Sequence, residues 1–236
     1  MNSLTRNKNG TNLSSDEMER AVWFDIEKQI DGELGLTGYL VDDQFTIVVH
    51  DQKLKIGADY SDLVFQSARE FYRNLVQRCQ SENRLLISYT NADLEFITES
   101  NPELEDAVKA VHQKTKFTSF FRHQHPELFA EMQERLKIRK RSKKHRFMTK
   151  QKKNGEFVVG LKDMLKLEAV GYPERQKIGI GGSAKAIRMV GERFEKSGHD
   201  VETLTKGEKK AWSKMLTYLR HDVYGLRHLT KWVNRS

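Results

Sequence analysis

The stretch RAVWFDIE, residues 20–27, decides the fold. Apolar side chains occupy every second position in it, and this two-residue period is typical of a β-strand. Two further strand-like runs follow at residues 34–41 and 44–49, and a pair of aspartates between them forms a turn signal. We therefore predict a three-stranded antiparallel meander that begins with residues 20–27.

The remainder of the chain alternates between helical and strand patterns. Residues 85–89 form a short, continuously apolar run, which indicates a strand buried on both faces. Helical spacing of apolar residues predicts helices at 59–82, after a cap at Thr90 or Asn91, from Pro102, and at 159–170, 183–197 and 206–233. Strands followed by a strand–helix alternation and then by helices are typical of a mixed α/β domain flanked by helices. We expect residues 1–18 to form a mobile tail and residues 19–236 to form one domain, with a basic helical insert at about 112–155.

Composition narrows the class of protein. The chain has 236 residues, 37% of them hydrophobic, which is enough for a folded core. Its single cysteine, Cys79, excludes an internal disulfide framework or a cysteine-rich zinc site and favours a reducing compartment. The polar start has no apolar signal region, and no run is long enough to span a membrane. We therefore expect a cytoplasmic protein without membrane contact.

Positive charge is concentrated in one tract. Residues 135–153 contain eleven lysines and arginines and no acidic residue, so the rest of the chain carries a net charge of −3 although the whole carries +8. Such a tract binds phosphate backbones, forms a solvated helix face or loop, or, less favoured here because no apolar face accompanies it, binds membranes. The candidate nucleic-acid-binding residues are Arg139, Lys140, Arg141, Lys143, Lys144 and Arg146, together with Lys185 after a glycine-rich stretch.

Four carboxylates and one tyrosine are candidates for chemistry. Asp25 and Glu27 lie two apart on the first predicted strand and so project from one face, as cation ligands or as solvent-exposed groups. Asp93 follows the buried strand near a helix start, where it either caps the helix or serves a site. Tyr218 and Asp222 are four apart and share a face of the last helix.

The order of these residues resembles the DEDD exonuclease superfamily, tyrosine subclass. The matching stretches are FDIE at 24–27, SYTNADLEF at 88–96, GLKDMLKLEAVGY at 160–172 and YLRHDV at 218–223. The resemblance implies a ribonuclease-H-like fold in which Asp25, Glu27, Asp93 and Asp222 hold two Mg²⁺ or Mn²⁺ ions. It also implies that Tyr218 orients the attacking water. Ala92 departs from the aromatic residue that often precedes the second aspartate in that family.

The expected function is hydrolysis of phosphodiester bonds by a metal-dependent nuclease, acting as a 3′→5′ exonuclease on nucleic acid. Two metal ions can stabilise the attacking and the leaving oxygen together, and carboxylates are the oxygen ligands that Mg²⁺ and Mn²⁺ prefer. Two alternatives stay open: a non-catalytic nucleic-acid-binding protein on the same fold, and a scaffold whose tract binds an acidic protein. The sequence leaves open whether the substrate is DNA or RNA and whether it is single- or double-stranded.

Overall fold

The chain divides into two compact units. The computed structural model describes residues 13–28, 34–142, 149–178, 183–197 and 200–235. Residues 13–114 and 182–224 form the first, which we call the sheet unit. Residues 115–181 and 225–236 belong to the second, which we call the helical unit.

One six-stranded mixed sheet forms the centre of the sheet unit. Its strands are β1 (Val22–Lys28), β2 (Leu34–Val41), β3 (Gln44–Val49), β4 (Val64–Phe65), β5 (Leu86–Ser88) and β6 (His112–Lys114), in the order β4-β3-β2-β1-β5-β6. The pairs β1–β2 and β2–β3 are antiparallel, which confirms the predicted meander. The pairs β1–β5, β5–β6 and β3–β4 are parallel.

Ten α-helices are found in the two units among the described residues. They are α1 (Ser15–Arg20), α2 (Lys55–Tyr60), α3 (Ala68–Ser81), α4 (Ala92–Ser100), α5 (Glu105–Val111), α6 (Phe117–Gln124), α7 (Pro126–Arg141), α8 (Leu161–Leu165), α9 (Ser183–Ser197) and α10 (Lys206–Val233) among the described residues. Helices α9 and α10 have the predicted bounds. Helix α10 belongs to the sheet unit as far as Tyr224 and to the helical unit from Gly225 onward.

Each face of the sheet carries its own apolar core. On one face, Phe24 and Val48 pack with the buried side of α3, which contributes Tyr72 and Val76. On the opposite face, Leu36 packs with residues of α2, α9 and α10, including Trp212 and Leu219. Strand β5 is buried throughout, as its continuous apolar run predicts. Apolar side chains therefore cover the sheet on both of its faces.

The predicted helix at 59–82 is wrong in its first third. Helix α2 ends at Tyr60, because Asp62 takes a left-handed conformation with φ of 51°. Val64 and Phe65 then form the short edge strand β4, and α3 begins only after Ser67, whose side chain accepts a hydrogen bond from the backbone N–H of Glu70. The apolar residues between the two helices imitate helical spacing, so periodicity alone merged three elements into one.

Other bounds also differ from those expected. Of the predicted tail, residues 1–12 lie outside the described residues, and α1 begins after Ser14, which exchanges two hydrogen bonds with Glu17 in a capping box. Strand β6 falls inside the range given to the basic insert, and the helical unit runs on to residue 181. The helix expected at 159–170 is only the short α8.

The helical unit has an aromatic core of its own. The rings of Phe121 and Trp232 stack with centroids 5.3 Å apart, and the indole N–H of Trp232 donates to the carbonyl of Ala169 at 3.0 Å. His228 Nε2 lies 2.8 Å from the carbonyl of Val170. These contacts tie the end of α10 to the segment after α8. Within the described ranges, no helix combines the length and the apolar character that a bilayer crossing requires.

Candidate metal centre

Strand β1 presents Asp25 and Glu27 at its carboxyl end. The strand pairs with β5 only through Val22 and Trp23, whereas its pairing with β2 continues to the end. Both carboxylates are half-buried, in contrast to the fully buried start of the strand. Because the two residues are two positions apart, they project from the same face of the sheet. They are therefore available to a ligand beside the end of β5.

A glycine in β2 lets α10 approach these carboxylates closely. Gly38 is the direct cross-strand partner of Asp25. A Cβ atom on Gly38 would lie 2.6 Å from Cγ of Leu219, so only a glycine leaves room for this contact. Asp222 follows Leu219 by about one helical turn and is buried. The fit of Leu219 over Gly38 thus fixes the position of α10 beside β1.

The carboxylates of Asp25, Glu27 and Asp222 form one group. One oxygen from each of the three lies within 4.8 Å of the others. Ligand oxygens about 2.0–2.1 Å from one Mg²⁺ ion lie about 2.9 Å apart in neighbouring positions and about 4.2 Å apart in opposite ones, so the three carboxylates would have to move closer together to bind one ion. Three like charges at this separation repel one another unless a cation compensates them. The donor set is all oxygen and suits Mg²⁺ or Mn²⁺.

Asp93, the fourth predicted ligand, is not one of these three residues. It lies in the first turn of α4 with 7% of its surface exposed. The hydroxyl of Thr90 donates to its Oδ2 at 2.9 Å, and the backbone N–H of Thr90 lies 3.3 Å from the same oxygen. Burial raises the pKa of Asp93 above its ordinary value, while the hydrogen bonds from Thr90 and Ser88 lower it. Asp93 is thus a buried carboxylate held by its own loop.

A buried pair behind Asp93 was not predicted from the sequence. Ser88, the last residue of β5, donates to the carbonyl of Thr90 at 2.7 Å and lies 2.8 Å from Nε2 of His112. Burial lowers the pKa of His112 to about 4, so this imidazole is neutral at physiological pH. The pair links β6, β5 and the loop that carries Asp93. No sequence periodicity connects Ser88 to His112, because the contact depends on the parallel pairing of two short strands.

Tyr218 precedes Asp222 by one turn of α10 and is buried, with 6% of its surface exposed. The ammonium of Lys214 lies 5.4 Å from the centroid of its ring. The predicted face is therefore present on the helix. The spacing of four predicted only their shared helix face, and the resemblance to DEDD exonucleases predicted their role in a site.

A second buried network lies on the α3 side of the sheet. The hydroxyl of Tyr72 is 2.5 Å from the hydroxyl of Thr37, which is 2.9 Å from Nε2 of His50. Burial raises the pKa of Tyr72, and the negative charges of Asp93 and Asp25 raise it further. The negative charges of Asp25 and Asp93 therefore both act on the hydroxyl of Tyr72, although Asp93 is not part of the three-carboxylate group.

A cation and an aromatic ring lie next to the acidic residues. The Nζ atom of Lys28, which follows Glu27, lies 3.0 Å from the centroid of the Phe96 ring. Phe96 is buried in α4, one turn after Asp93. The ring of Phe96 thus packs against the ammonium of Lys28.

The predicted nucleic-acid-binding residues fall into three groups. Arg139 is ion-paired with Asp163 at 2.6 Å, and the ammonium of Lys140 donates to the carbonyl of Thr149 at 3.1 Å. Arg141 and Lys185 are exposed. Lys143, Lys144 and Arg146 lie outside the described residues. Two cations of the tract thus have internal contacts that a solvated helix face would not require.

Comparisons with known proteins return no match. No protein-family model matches this chain. No curated protein and no solved structure matches it either. The functional argument therefore depends on the geometry of the site and on the motifs of the sequence.

Proposed function

We propose that this chain is a metal-dependent nuclease that hydrolyses phosphodiester bonds of DNA or RNA. The observation that carries the proposal is the convergence of Asp25, Glu27 and Asp222 within 4.8 Å. Two of these residues come from the first strand and the third from the last helix, so folding brings together groups that are distant in the chain. Acidic residues clustered on the surface of a single helix or strand would be much weaker support for a metal site.

The topology supports a ribonuclease-H-like fold. An antiparallel meander supplies β1, and parallel strands then extend the sheet on the other side of β1. The acidic group lies at the carboxyl end of the central strand, as the resemblance to DEDD exonucleases implies. The same resemblance places Asp93 and Tyr218 in the site and predicts a 3′→5′ direction of hydrolysis. A single buried Cys79 accords with work in a reducing cytoplasm.

The residues divide the chemistry among themselves. Bound Mg²⁺ or Mn²⁺ would lower the pKa of water and stabilise charge on the attacking and leaving oxygens. Asp25, Glu27 and Asp222 would hold the ions, and Asp93 would complete the set. Tyr218 would orient the attacking water by a hydrogen bond from its hydroxyl.

One observation favours the non-catalytic alternative. Asp93 stands outside the three-carboxylate group, and burial raises its pKa, which opposes the charged form that a metal ligand needs. A protein that binds nucleic acid without cutting it would tolerate such an arrangement. Hydrolysis, rather than binding, therefore decides between the two functions.

The test is hydrolysis of end-labelled single- and double-stranded DNA and RNA with Mn²⁺. The native chain is expected to shorten a substrate from its 3′ end, and EDTA is expected to stop the reaction. Asp25→Asn and Asp222→Asn should abolish hydrolysis, whereas Asp106→Asn, an exposed aspartate on α5, should leave it unchanged. Binding without Mn²⁺-dependent hydrolysis by the native chain would establish the non-catalytic alternative. Equal activity in Asp25→Asn would remove the acidic group from the mechanism.

A further inference from the structure

Helices α7 and α8 of the helical unit bring four cations together. Arg135 and Arg139 come from α7, while Lys162 and Lys166 come from α8 and the residue after it. The guanidinium of Arg139 contacts Asp163 at 2.6 Å, and Nη1 of Arg135 donates to the backbone carbonyl of Lys166 at 3.1 Å. We call these four residues the α7–α8 cation cluster. Only its two arginines belong to the basic tract of the sequence.

Two carboxylates contact the arginines of this cluster. Asp163 contacts Arg139, and Glu131 contacts Arg135 at 2.5 Å. In the part of the chain that the structure describes, the ammonium of Lys166 has no carboxylate within ion-pair distance. Burial lowers the pKa of Lys166, and the charges of Arg139, Lys162 and Arg135 lower it further, while Asp163 raises it. The cations therefore repel one another, and an added anion would relieve this repulsion.

We propose that the α7–α8 cation cluster binds a backbone phosphate of a nucleic acid. The identity of the ligand as nucleic acid rests on the proposed function. A phosphate oxygen offers several acceptors to converging ammonium and guanidinium groups, and such contacts position a strand without reading its bases. The sequence alone assigned this role to the tract at 135–153, whereas the structure adds Lys162 and Lys166, which lie outside it.

An acidic protein is a poorer fit to this surface. Protein interfaces depend on a few buried aromatic or aliphatic anchors at their centre. Among the described residues of α7 and α8, the only large apolar side chain in the exposed class is Ile138, with 66% of its surface exposed. Charge without apolar anchors is typical of phosphate contacts, which supply affinity through release of counterions.

The test measures affinity for a fluorescent single-stranded oligonucleotide by anisotropy, in EDTA so that no metal-dependent hydrolysis occurs. The double substitution Lys162→Gln with Lys166→Gln should weaken binding at least about fivefold and reduce the log–log salt slope by about 1.4, since each lost contact on a single strand contributes about 0.7. Lys177→Gln is the matched control, because Lys177 is an exposed lysine of the same unit that pairs with Glu174. It should bind as the native chain does.

Asp163→Asn should have the opposite effect. The amide keeps one acceptor oxygen, which can accept either from Arg139, the donor to Oδ1 of the native carboxylate, or from the backbone N–H of Gly160, which donates to Oδ2 at 3.0 Å. It removes the negative charge nearest to the cluster, so affinity should rise about twofold or more. Opposite signs for the lysine and aspartate variants separate a phosphate site from a general loss of structure, which would weaken binding in both.

Three results would overturn the proposal: unchanged affinity in the folded double-lysine variant, weaker binding in folded Asp163→Asn, or competition by polyglutamate as strong as by an oligonucleotide of equal charge. Failure of the proposed function gives a different pattern. A chain that shows these shifts in EDTA but never hydrolyses nucleic acid with Mn²⁺ retains the phosphate site and loses the nuclease assignment. A chain that hydrolyses nucleic acid without the shifts retains the nuclease assignment and loses this site.

Discussion

At the scale of single residues, a substitution of Tyr218 distinguishes an effect on the rate of hydrolysis from an effect on metal binding. Its buried ring packs near Lys214, and Phe at this position would keep the ring and remove only the hydroxyl. We expect Tyr218→Phe to reduce the rate of hydrolysis roughly 10–1,000-fold, as positioning and acid–base groups do. Affinity for Mn²⁺, measured by calorimetry, should be unchanged because the carboxylates remain. An unaltered rate, or a loss of Mn²⁺ affinity as large as in Asp222→Asn, would contradict the tyrosine-subclass assignment.

His50 determines part of the pH dependence of stability. Burial lowers its pKa from 6.5 to about 4, so between these values the unfolded chain binds a proton that the folded chain excludes. The contribution of His50 to stability is therefore fully present above about pH 6.5 and is lost as the pH falls toward 4. Between pH 6.5 and 5, the free energy of unfolding of the native chain should fall by about 1.5 kcal/mol more than that of His50→Gln, as measured by urea unfolding. Burial raises the pKa of Asp93, which gives a contribution of opposite sign. This contribution is the same in both proteins, so it cancels in the difference between their free energies of unfolding.

His123→Gln is the control for this measurement, because His123 is exposed. Its stability should follow the pH dependence of the native chain. Parallel curves for His50→Gln and the native chain would show that His50 does not exclude a proton in the folded state.

Spacing placed two pairs of candidate residues on shared faces, whereas Asp93 and the roles of all five residues were predicted from the resemblance to DEDD exonucleases. A separation of two on a strand and of four on a helix places Asp25 with Glu27 and Tyr218 with Asp222. The partners of His50 and His112 could not be predicted, because each contact joins residues on different strands and helices. Gly38 gave a usable signal, since a glycine inside a strand often marks a close approach of another element.

At the scale of elements, the contact between β2 and α10 positions Asp222 beside the carboxylates of β1. Gly38→Ala would place a Cβ 2.6 Å from Cγ of Leu219, and the two elements would have to separate. We expect a loss of about 1–3 kcal/mol in the free energy of unfolding, as overpacking causes. Affinity for Mn²⁺ should fall as well, because Asp222 moves with the helix.

A double-mutant cycle with Leu219→Ala tests whether this contact is the cause. The two substitutions together should cost less than the sum of the single effects, with a coupling of about 0.5–3 kcal/mol. Gly207→Ala, at an exposed glycine with no neighbour closer than 3.9 Å to its Cβ position, should change stability by less than about 0.5 kcal/mol. Additive effects of Gly38→Ala and Leu219→Ala would show that the contact does not set the position of α10.

Several long elements were predicted with their bounds, and two of the short strands were not predicted. Helices α9 and α10 and strands β2 and β3 have the predicted bounds because their apolar periods extend over many residues. Strand β4 has two residues and β6 has three, too few to establish a period. The left-handed conformation of Asp62 ends a pattern that the sequence predicted to continue.

At the scale of the whole molecule, we expect repulsion among the three carboxylates to lower the stability of the metal-free chain. Asp25→Asn removes one of three mutually repelling charges, so in EDTA it should raise the melting temperature by about 2–4 °C, the shift that about 1 kcal/mol produces in a chain of this size. Mn²⁺ should stabilise the native chain and leave this variant almost unaffected. Asp106→Asn should respond to Mn²⁺ as the native chain does. Equal stabilisation of Asp25→Asn and the native chain by Mn²⁺ would place the bound ion elsewhere.

The folded structure also indicates which of the chain's many cations would contact a phosphate. The tract at 135–153 predicted affinity for phosphate from its composition, but Arg139 and Lys140 make contacts within the helical unit. The cations of α8 could not be chosen from the sequence, because they approach α7 only in the folded unit. Composition thus predicts the class of ligand, and the packing of two helices selects the residues that would bind it.

The central claim is that Asp25, Glu27 and Asp222 hold a divalent metal ion. The most direct measurement is an anomalous difference map from crystals of the native chain soaked in Mn²⁺. The account predicts a peak about 2.0–2.4 Å from an oxygen of each of the three carboxylates. A map with no peak within coordination distance of all three, from crystals in which Mn²⁺ has access to the site, would contradict it.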